Sequence, residues 1–139
     1  RSTRASGARE KRRDATRMKT FAQTIELESE DAIEAYDALH ARAWPEILES
    51  LRAVGVVDMF IYRSGVRLFM HMTTVDAFDP DVDFARHMAM SERCVEWGEV
   101  TRALQRPAPE AKDGEWWTRC RRVFDLRSQL DALDASRSR

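Results

Sequence analysis

Cysteine is scarce in this sequence, and long hydrophobic runs are missing from it. The only cysteines, Cys94 and Cys120, form no CxxC pair, so their spacing predicts neither a disulfide framework nor a cysteine zinc site. No stretch approaches the roughly 18 consecutive apolar residues that a membrane-spanning helix requires. The basic N-terminal residues lack the apolar segment of a secretory signal. We therefore expect a cytoplasmic protein with no membrane partner.

Histidine is also rare, and positive charge is unevenly distributed. The three histidines are scattered without metal-ligand spacing, so no metal site is predicted. Seven of the 23 basic residues but only two of the 24 acidic ones fall within residues 1–17, which leaves the remainder net negative and argues against nucleic acid as its partner. One possible role of this basic segment is to bind RNA or a membrane. It has no large apolar residue, however, and we predict residues 1–17 to be a disordered extension.

The rest of the composition is that of one globular domain. Apolar residues make up 43% of the 139 residues and charged residues 34%, and this length suits a single hydrophobic core. We place the folded domain at residues 18–127. The polar residues 128–139 are expected to form a frayed tail.

Hydrophobic periodicity predicts elements in the order β, α, β, β, α, β. The predicted strands are residues 19–27, 56–62, 66–75 and 120–126, the last identified by Val123 and Phe124. The second and third strands flank a short connection containing Gly65, which favours an antiparallel hairpin.

The predicted helices have recognisable starts and stops. The first begins near Ser29 and breaks at Trp44, because Pro45 disfavours helical geometry in the residue before it. It restarts at Pro45 and ends at Gly55, a typical C-terminal cap. A short helix after Pro80 is followed by a longer one that begins at Ser91.

This order is the ferredoxin-like arrangement, an α+β fold in which two helices cover one face of an antiparallel four-stranded sheet. Strand residues such as Phe21, Phe69, Met70 and Met72 supply apolar side chains to both faces. A bare second face would be an association surface. We therefore predict a homodimer of the dimeric α/β barrel type, with the sheets packed face to face.

Three side chains at helical spacing carry most of the chemical information. Tyr36, His40 and Trp44 are four residues apart, so they lie on one helix face up to the break at Pro45. A phenol, an imidazole and an indole together can bind a polyol ring, with apolar faces for C–H groups and polar tips for hydroxyls. The other interpretation is an ordinary core stripe whose histidine has found a hydrogen-bond partner.

The run YDALHARAWPE, from Tyr36 to Glu46, resembles the signature of the L-rhamnose mutarotase family: Tyr, three residues, His, three residues, Trp-Pro-Glu. The similarity covers about residues 19–126. Further matches are the Gly55 turn, Ile61-Tyr62, Leu68-Phe69, Cys94-x-x-Trp97 and Val123-Phe124. The resemblance implies a dimeric ferredoxin-like fold without metal or organic cofactor. It also implies that His40 is the proton donor and that Tyr36 binds the sugar.

Interconversion of pyranose anomers needs one proton removed from the anomeric hydroxyl and one delivered to the ring oxygen. Histidine suits this exchange because its unperturbed pKa is about 6.5, and such catalysis is typically worth about a hundred- to ten-thousandfold. His40 is therefore the predicted acid–base group. Tyr36 is the nearest candidate for the second group, either transferring a proton or only orienting the sugar.

Two departures from the family pattern concern substrate contacts. Met59 stands where the rhamnose enzymes carry a second sugar-binding Tyr, and Trp97-Gly98 stands where they carry tandem tryptophans. The stretch Trp116-Trp117-Thr118 is similar to that of L-fucose mutarotases, so both 6-deoxy-hexoses, L-fucose and L-rhamnose, stay open as substrates. The predicted substrate-binding residues are Trp44, Met59, Tyr62, His71, Trp97, Trp116 and Trp117.

The other two histidines are weaker candidates for the site. His71 lies on the same face of its predicted strand as Phe69 and Thr73, so it either reaches the pocket or packs within the sheet. His87 lies in a polar segment with Asp83, and we expect it at the solvated surface.

Two other functions fit the same scaffold. One is a non-catalytic small-ligand-binding or stress-response module, and the other is an oxygenase-type enzyme acting on aromatic or polyketide substrates. A binding module would tolerate loss of the His40 imidazole without losing anomer exchange, whereas an oxygenase would turn over an aromatic substrate with oxygen. The Trp-Pro-Glu that follows His40 favours the mutarotase.

Overall fold

The computed structural model describes residues 17–139, so the predicted disordered extension over residues 1–17 lies outside the described residues except for Arg17. Its strands are β1 (Met18–Leu27), β2 (Val56–Ser64), β3 (Arg67–Val75), β4 (Gln105–Arg106) and β5 (Thr118–Cys120). Its helices are α1 (Ile33–Ala41), α2 (Pro45–Val54), α3 (Pro80–Met88), α4 (Glu92–Leu104) and α5 (Leu126–Arg137), with a 3-10 turn at Glu30–Ala32. None of the helices in this range has the length and apolar character needed to cross a membrane. The cytoplasmic location stays a prediction.

The sheet confirms the predicted ferredoxin-like α+β fold. Its strand order is β2-β3-β1-β4, every pairing is antiparallel, and β5 also pairs with β1. The fourth strand of the predicted order is thus divided between two short strands on the same edge of β1. The register brings Phe21 opposite Met72 and Ile25 opposite Leu68. These apolar side chains are therefore cross-strand neighbours on one face of the sheet.

Local sequence signals set the helix boundaries as predicted. Trp44 has extended geometry (φ −64°, ψ 140°) because Pro45 follows it, and α2 begins at that proline. Gly55 ends α2 with φ 104°, a left-handed conformation that favours glycine. The Ser91 side chain accepts a hydrogen bond from the Cys94 backbone N–H at the start of α4.

Alternation along β3 separates the two faces of the sheet. Leu68, Met70 and Met72 are buried on the inward face, beneath the helices. Phe69 and His71 point to the opposite, outward face and are exposed. The inward face therefore builds the core, and residues 17–139 leave the outward face exposed.

The C-terminal residues correct two predictions. Val123 and Phe124 form no strand, since β5 ends at Cys120, and they are exposed by 90% and 61%. The expected frayed tail is instead a helix over Leu126–Arg137, which begins where the Asp125 side chain accepts a hydrogen bond from the Ser128 N–H. An Arg127–Asp131 ion pair one turn apart adds support. No residue of this helix is buried.

Candidate active site

A cavity of about 1010 Å³ lies between the inward face of the sheet and the helices. Its wall includes Tyr36 and His40 from α1, Met59 from β2 and Trp97 from α4. The segment just before β5 contributes Trp116 and Trp117. Six of the nine residues predicted for the site thus line one cavity.

The helical spacing of α1 fixes the hydrogen bonding of His40. Its Nδ1 lies 2.9 Å from the backbone oxygen of Tyr36, one turn earlier. Because a carbonyl oxygen can only accept, Nδ1 carries a proton and donates it to this bond. The neutral ring then has its lone pair on Nε2, so this nitrogen is left to take up or release a proton.

Aromatic neighbours hold the imidazole on both sides. The His40 ring stacks on Tyr36 with centroids 4.0 Å apart, and the edge contact with Trp97 has a centroid distance of 5.2 Å. Burial lowers the pKa of His40 below its usual 6.5, against the smaller opposing effects of the bond to the Tyr36 carbonyl and the charge of Asp37. His40 is therefore neutral near pH 7.

The Tyr36 hydroxyl is buried in the cavity wall without a hydrogen-bond partner among residues 17–139. Burial raises the pKa of this phenol to about 12, partly offset by the neighbouring Gln105 side chain. The hydroxyl consequently keeps its proton at physiological pH. An unpaired buried hydroxyl costs stability. Such a hydroxyl is expected where a bound ligand supplies the missing hydrogen bond.

Replacing Tyr36 by Phe should separate stability from ligand binding. Because the hydroxyl has no partner in the described protein, we expect Tyr36→Phe to leave the free energy of unfolding unchanged or to raise it by about 1 kcal/mol. Urea denaturation measures this value, and the affinity for a ligand that bonds this hydroxyl in the cavity should fall in the same variant. A loss of more than about 1 kcal/mol would mean that the hydroxyl is bonded in the resting protein.

Sequence reasoning missed several polar residues of the wall, chief among them Gln23, Gln105 and Arg119. Gln23 had a readable signal, since it is the one polar residue between Phe21 and Ile25 on the inward face of β1. Gln105 and Arg119 lie on the short strands β4 and β5, whose pairing with β1 no local pattern indicates.

Three predicted site residues lie elsewhere. Trp44 packs behind Trp97, with centroids 5.1 Å apart, and the Arg93 guanidinium covers its outer face at 3.7 Å, so it supports the wall without lining it. Tyr62 and His71 occupy outward positions of β2 and β3. Their side chains point away from the cavity, which corrects the prediction that they contact the same ligand.

His87 was expected at the solvated surface but is buried, 2% exposed, and borders the cavity. Its Nδ1 lies 2.7 Å from the Ser50 Oγ, which ties α3 to α2. Burial lowers the pKa of His87 to about 4, so this histidine is also neutral near pH 7.

The chemistry available in the cavity is proton exchange. Within residues 17–139 no group of three or more His, Cys, Asp and Glu side chains is arranged to hold a metal ion. The wall offers a neutral imidazole, His40, and a protonated phenol, Tyr36, beside indole and thioether surfaces. Two titratable groups whose environments push their pKa values apart are suited to opposite acid–base roles.

Comparison with known proteins identifies the family. The sequence profile of the L-rhamnose mutarotase family matches residues 20–126. A UPF0734 protein of Dictyostelium discoideum is 32% identical over 117 residues, 81% of this chain and 94% of that protein. An L-fucose mutarotase of Xanthomonas campestris is 30% identical over 122 residues, 86% of this chain and 97% of that protein.

A solved structure agrees at the level of the fold. The crystal structure of an L-rhamnose mutarotase from Formosa agariphila has a TM-score of 0.58 and 19% identity, and the match covers 78% of this chain and 98% of that one. The sequence matches reach further, since they span both the motif of α1 and the tryptophans before β5. The chain therefore belongs to the L-rhamnose mutarotase family and is a sugar mutarotase, an isomerase acting on carbohydrates.

Proposed function

We propose that the protein interconverts the α and β anomers of a 6-deoxy-hexose by acid–base ring opening centred on His40. The observation that carries the proposal is the state of the imidazole: Nδ1 is bound to the Tyr36 carbonyl, and the unprotonated Nε2 is free in the wall of a large cavity. A second titratable group, the Tyr36 phenol, is one helical turn away and keeps its proton.

Ring opening and closure use these two groups in opposite directions. His40 Nε2 accepts the proton of the anomeric hydroxyl while the bond between C1 and the ring oxygen breaks, and Tyr36 donates its proton to that ring oxygen. The aldehyde then rotates about the C1–C2 bond. On closure the hydroxyl oxygen attacks the other face of the carbonyl and returns its proton to Tyr36, and His40 donates a proton to the carbonyl oxygen. Both side chains end in the protonation states in which they began.

L-fucose and L-rhamnose are the substrates that the relatives suggest. The matched family is named for L-rhamnose, and the Xanthomonas relative is an L-fucose mutarotase. Both sugars carry an apolar methyl group in place of a hydroxyl. The thioethers of Met59 and Met70 and the two indoles Trp116 and Trp117 give the cavity apolar surface for such a group.

Saturation-transfer NMR tests the function directly. Irradiation of the α anomeric proton of L-fucose or L-rhamnose at equilibrium should reduce the β signal in the presence of the protein, and the faster exchange identifies the substrate. If neither sugar exchanges faster than in buffer, the proposal is wrong for both. Titration of the same sugars against the protein would then test the binding-module alternative, and oxygen consumption with an aromatic substrate would test the oxygenase.

The pH dependence follows from the lowered pKa of His40. Ring opening needs Nε2 unprotonated, so activity falls as the imidazole gains a proton at low pH. Because burial depresses the pKa, we expect the acid limb of kcat/KM to lie below pH 6.5 and the rate to be level across neutral pH. A limb above pH 6.5 would contradict the buried environment of the ring.

We also propose that two copies associate through the outward face of the sheet. Phe60, Tyr62 and Phe69 lie side by side there and are exposed by 51%, 61% and 45%. Contiguous aromatic side chains on a regular sheet are typical of a protein interface, and an identical copy offers the same surface for two-fold packing. The cavity lies on the other face of the sheet and is not covered by such contact.

The dimer can be broken at the centre of this face. Phe69→Asp places a charge between two apolar sheets, and we expect the variant to sediment as a monomer while the wild type sediments as a dimer. Val95→Asp is the matched control, because Val95 is equally exposed, by 47%, on helix α4. A monomeric wild type at the same concentration would overturn the proposal.

A further inference from the structure

We propose that Gln105 is a positioning residue for Tyr36, oriented by Trp116 so that its amide N–H groups face the phenol oxygen and leave the phenol proton directed into the cavity. The inference rests on the proposed function, because it concerns how the second proton carrier is held. Gln105 would act through Tyr36 and need not touch the sugar.

The orientation of the Gln105 amide is set by one hydrogen bond. The indole N–H of Trp116 donates to Gln105 Oε1 at 3.0 Å. An indole N–H can only donate, so the atom that it meets must be the carbonyl oxygen of the amide. The NH2 group is then turned to the other side. Gln105 is 7% exposed and lines the cavity with Tyr36, so its NH2 group can bond only within the protein or to a molecule in the cavity.

Tyr36 provides the matching unpaired oxygen. Its hydroxyl is buried and makes no hydrogen bond to any of residues 17–139, although Tyr36 and Gln105 line the same cavity. The Gln105 side chain is close enough to lower the pKa of the phenol, the effect expected of a donor that favours the phenolate. Such contacts are often long in a free enzyme and tighten when the ligand binds.

The consequence is a defined direction for the phenol proton. A hydroxyl that accepts from an amide N–H keeps its own proton for another acceptor, and a sugar bound in the cavity can be that acceptor. The same amide N–H stabilises the phenolate that forms when Tyr36 gives up this proton. Loss of Gln105 should thus affect the rate of the chemical step more than the binding of the sugar.

The test uses the fact that the chain has two tyrosines, Tyr36 and Tyr62. In protein labelled with ¹³C at the tyrosine ring carbon that bears the hydroxyl, Tyr36→Phe identifies the Tyr36 resonance. With saturating L-fucose or L-rhamnose present, we expect Gln105→Met and Trp116→Phe each to shift this resonance. Gln129→Met is the matched control, since it makes the same change on the exposed surface of α5, and it should leave the Tyr36 resonance in place.

Kinetics gives the second readout. Gln105→Met should lower kcat for anomer exchange by about tenfold, as for one lost hydrogen bond, with KM nearly unchanged. An unshifted resonance in Gln105→Met, with kcat as in the wild type, overturns the inference while the mutarotase proposal stands. A shifted resonance in a protein that accelerates neither sugar supports the positioning of Tyr36 and overturns the proposed function alone. Far-ultraviolet circular dichroism confirms that each variant is folded.

Discussion

Replacing His40 by Gln should reduce kcat for anomer exchange by about a hundred- to ten-thousandfold. Glutamine has a similar length and can still donate a hydrogen bond to the Tyr36 carbonyl, so the end of α1 should keep its structure. It cannot exchange a proton near neutral pH, which removes the acid–base step. Saturation-transfer NMR on L-fucose and L-rhamnose measures the loss.

Two further variants make this result specific. His71→Gln makes the same chemical change on the outward face of the sheet and should leave exchange unchanged. His40→Ala leaves a space between the rings of Tyr36 and Trp97, and added imidazole should restore part of the rate by occupying it. Full activity of His40→Gln would contradict the acid–base role, whatever the substrate.

Replacing Trp97 by Ala should destabilise the protein by about 3–5 kcal/mol. Trp97 is 7% exposed and joins two parts of the structure, since its indole contacts both His40 and Trp44. The truncation leaves a cavity beside Ile47 and Cys94, which belong to the same buried cluster. Urea denaturation measures the change, and a domain of this size is typically stable by only about 5–15 kcal/mol.

The control for Trp97 lies on the same helix. Val95→Ala removes an exposed side chain from α4 and should change stability by no more than about 0.5 kcal/mol. Trp97→Phe keeps an aromatic ring against His40 and should cost less than the alanine variant. A loss below about 1 kcal/mol for Trp97→Ala would mean that the indole is not part of the core.

Most of the fold could be predicted because its boundaries depend on local chemistry. The break at Trp44-Pro45 and the end of α2 at Gly55 follow from backbone preferences of proline and glycine. The last strand could not be predicted, because Val123 and Phe124 have a strand-like pattern but no strand to pair with beyond β5. Pairing depends on residues far away in the sequence, and alternation alone does not reveal it.

The site was predictable where it depends on one helix. Helical spacing and the family resemblance agree on Tyr36 and His40, and both residues line the cavity. Tyr62 and His71 were misplaced because both faces of the sheet carry apolar residues, so alternation does not indicate which set points inward. Gln105 was missed because its position depends on the pairing of the two-residue strand β4 with β1.

The alternation along β3 has a consequence for how such a protein can evolve. Met70 and Met72 shape the cavity, whereas Phe69 and His71, the residues between them, face the opposite way. If the cavity binds the sugar and the outward face forms the dimer, as proposed, mutations that adjust substrate preference and mutations that adjust self-association fall on different codons of the same strand. Selection could then change either property while the other is conserved.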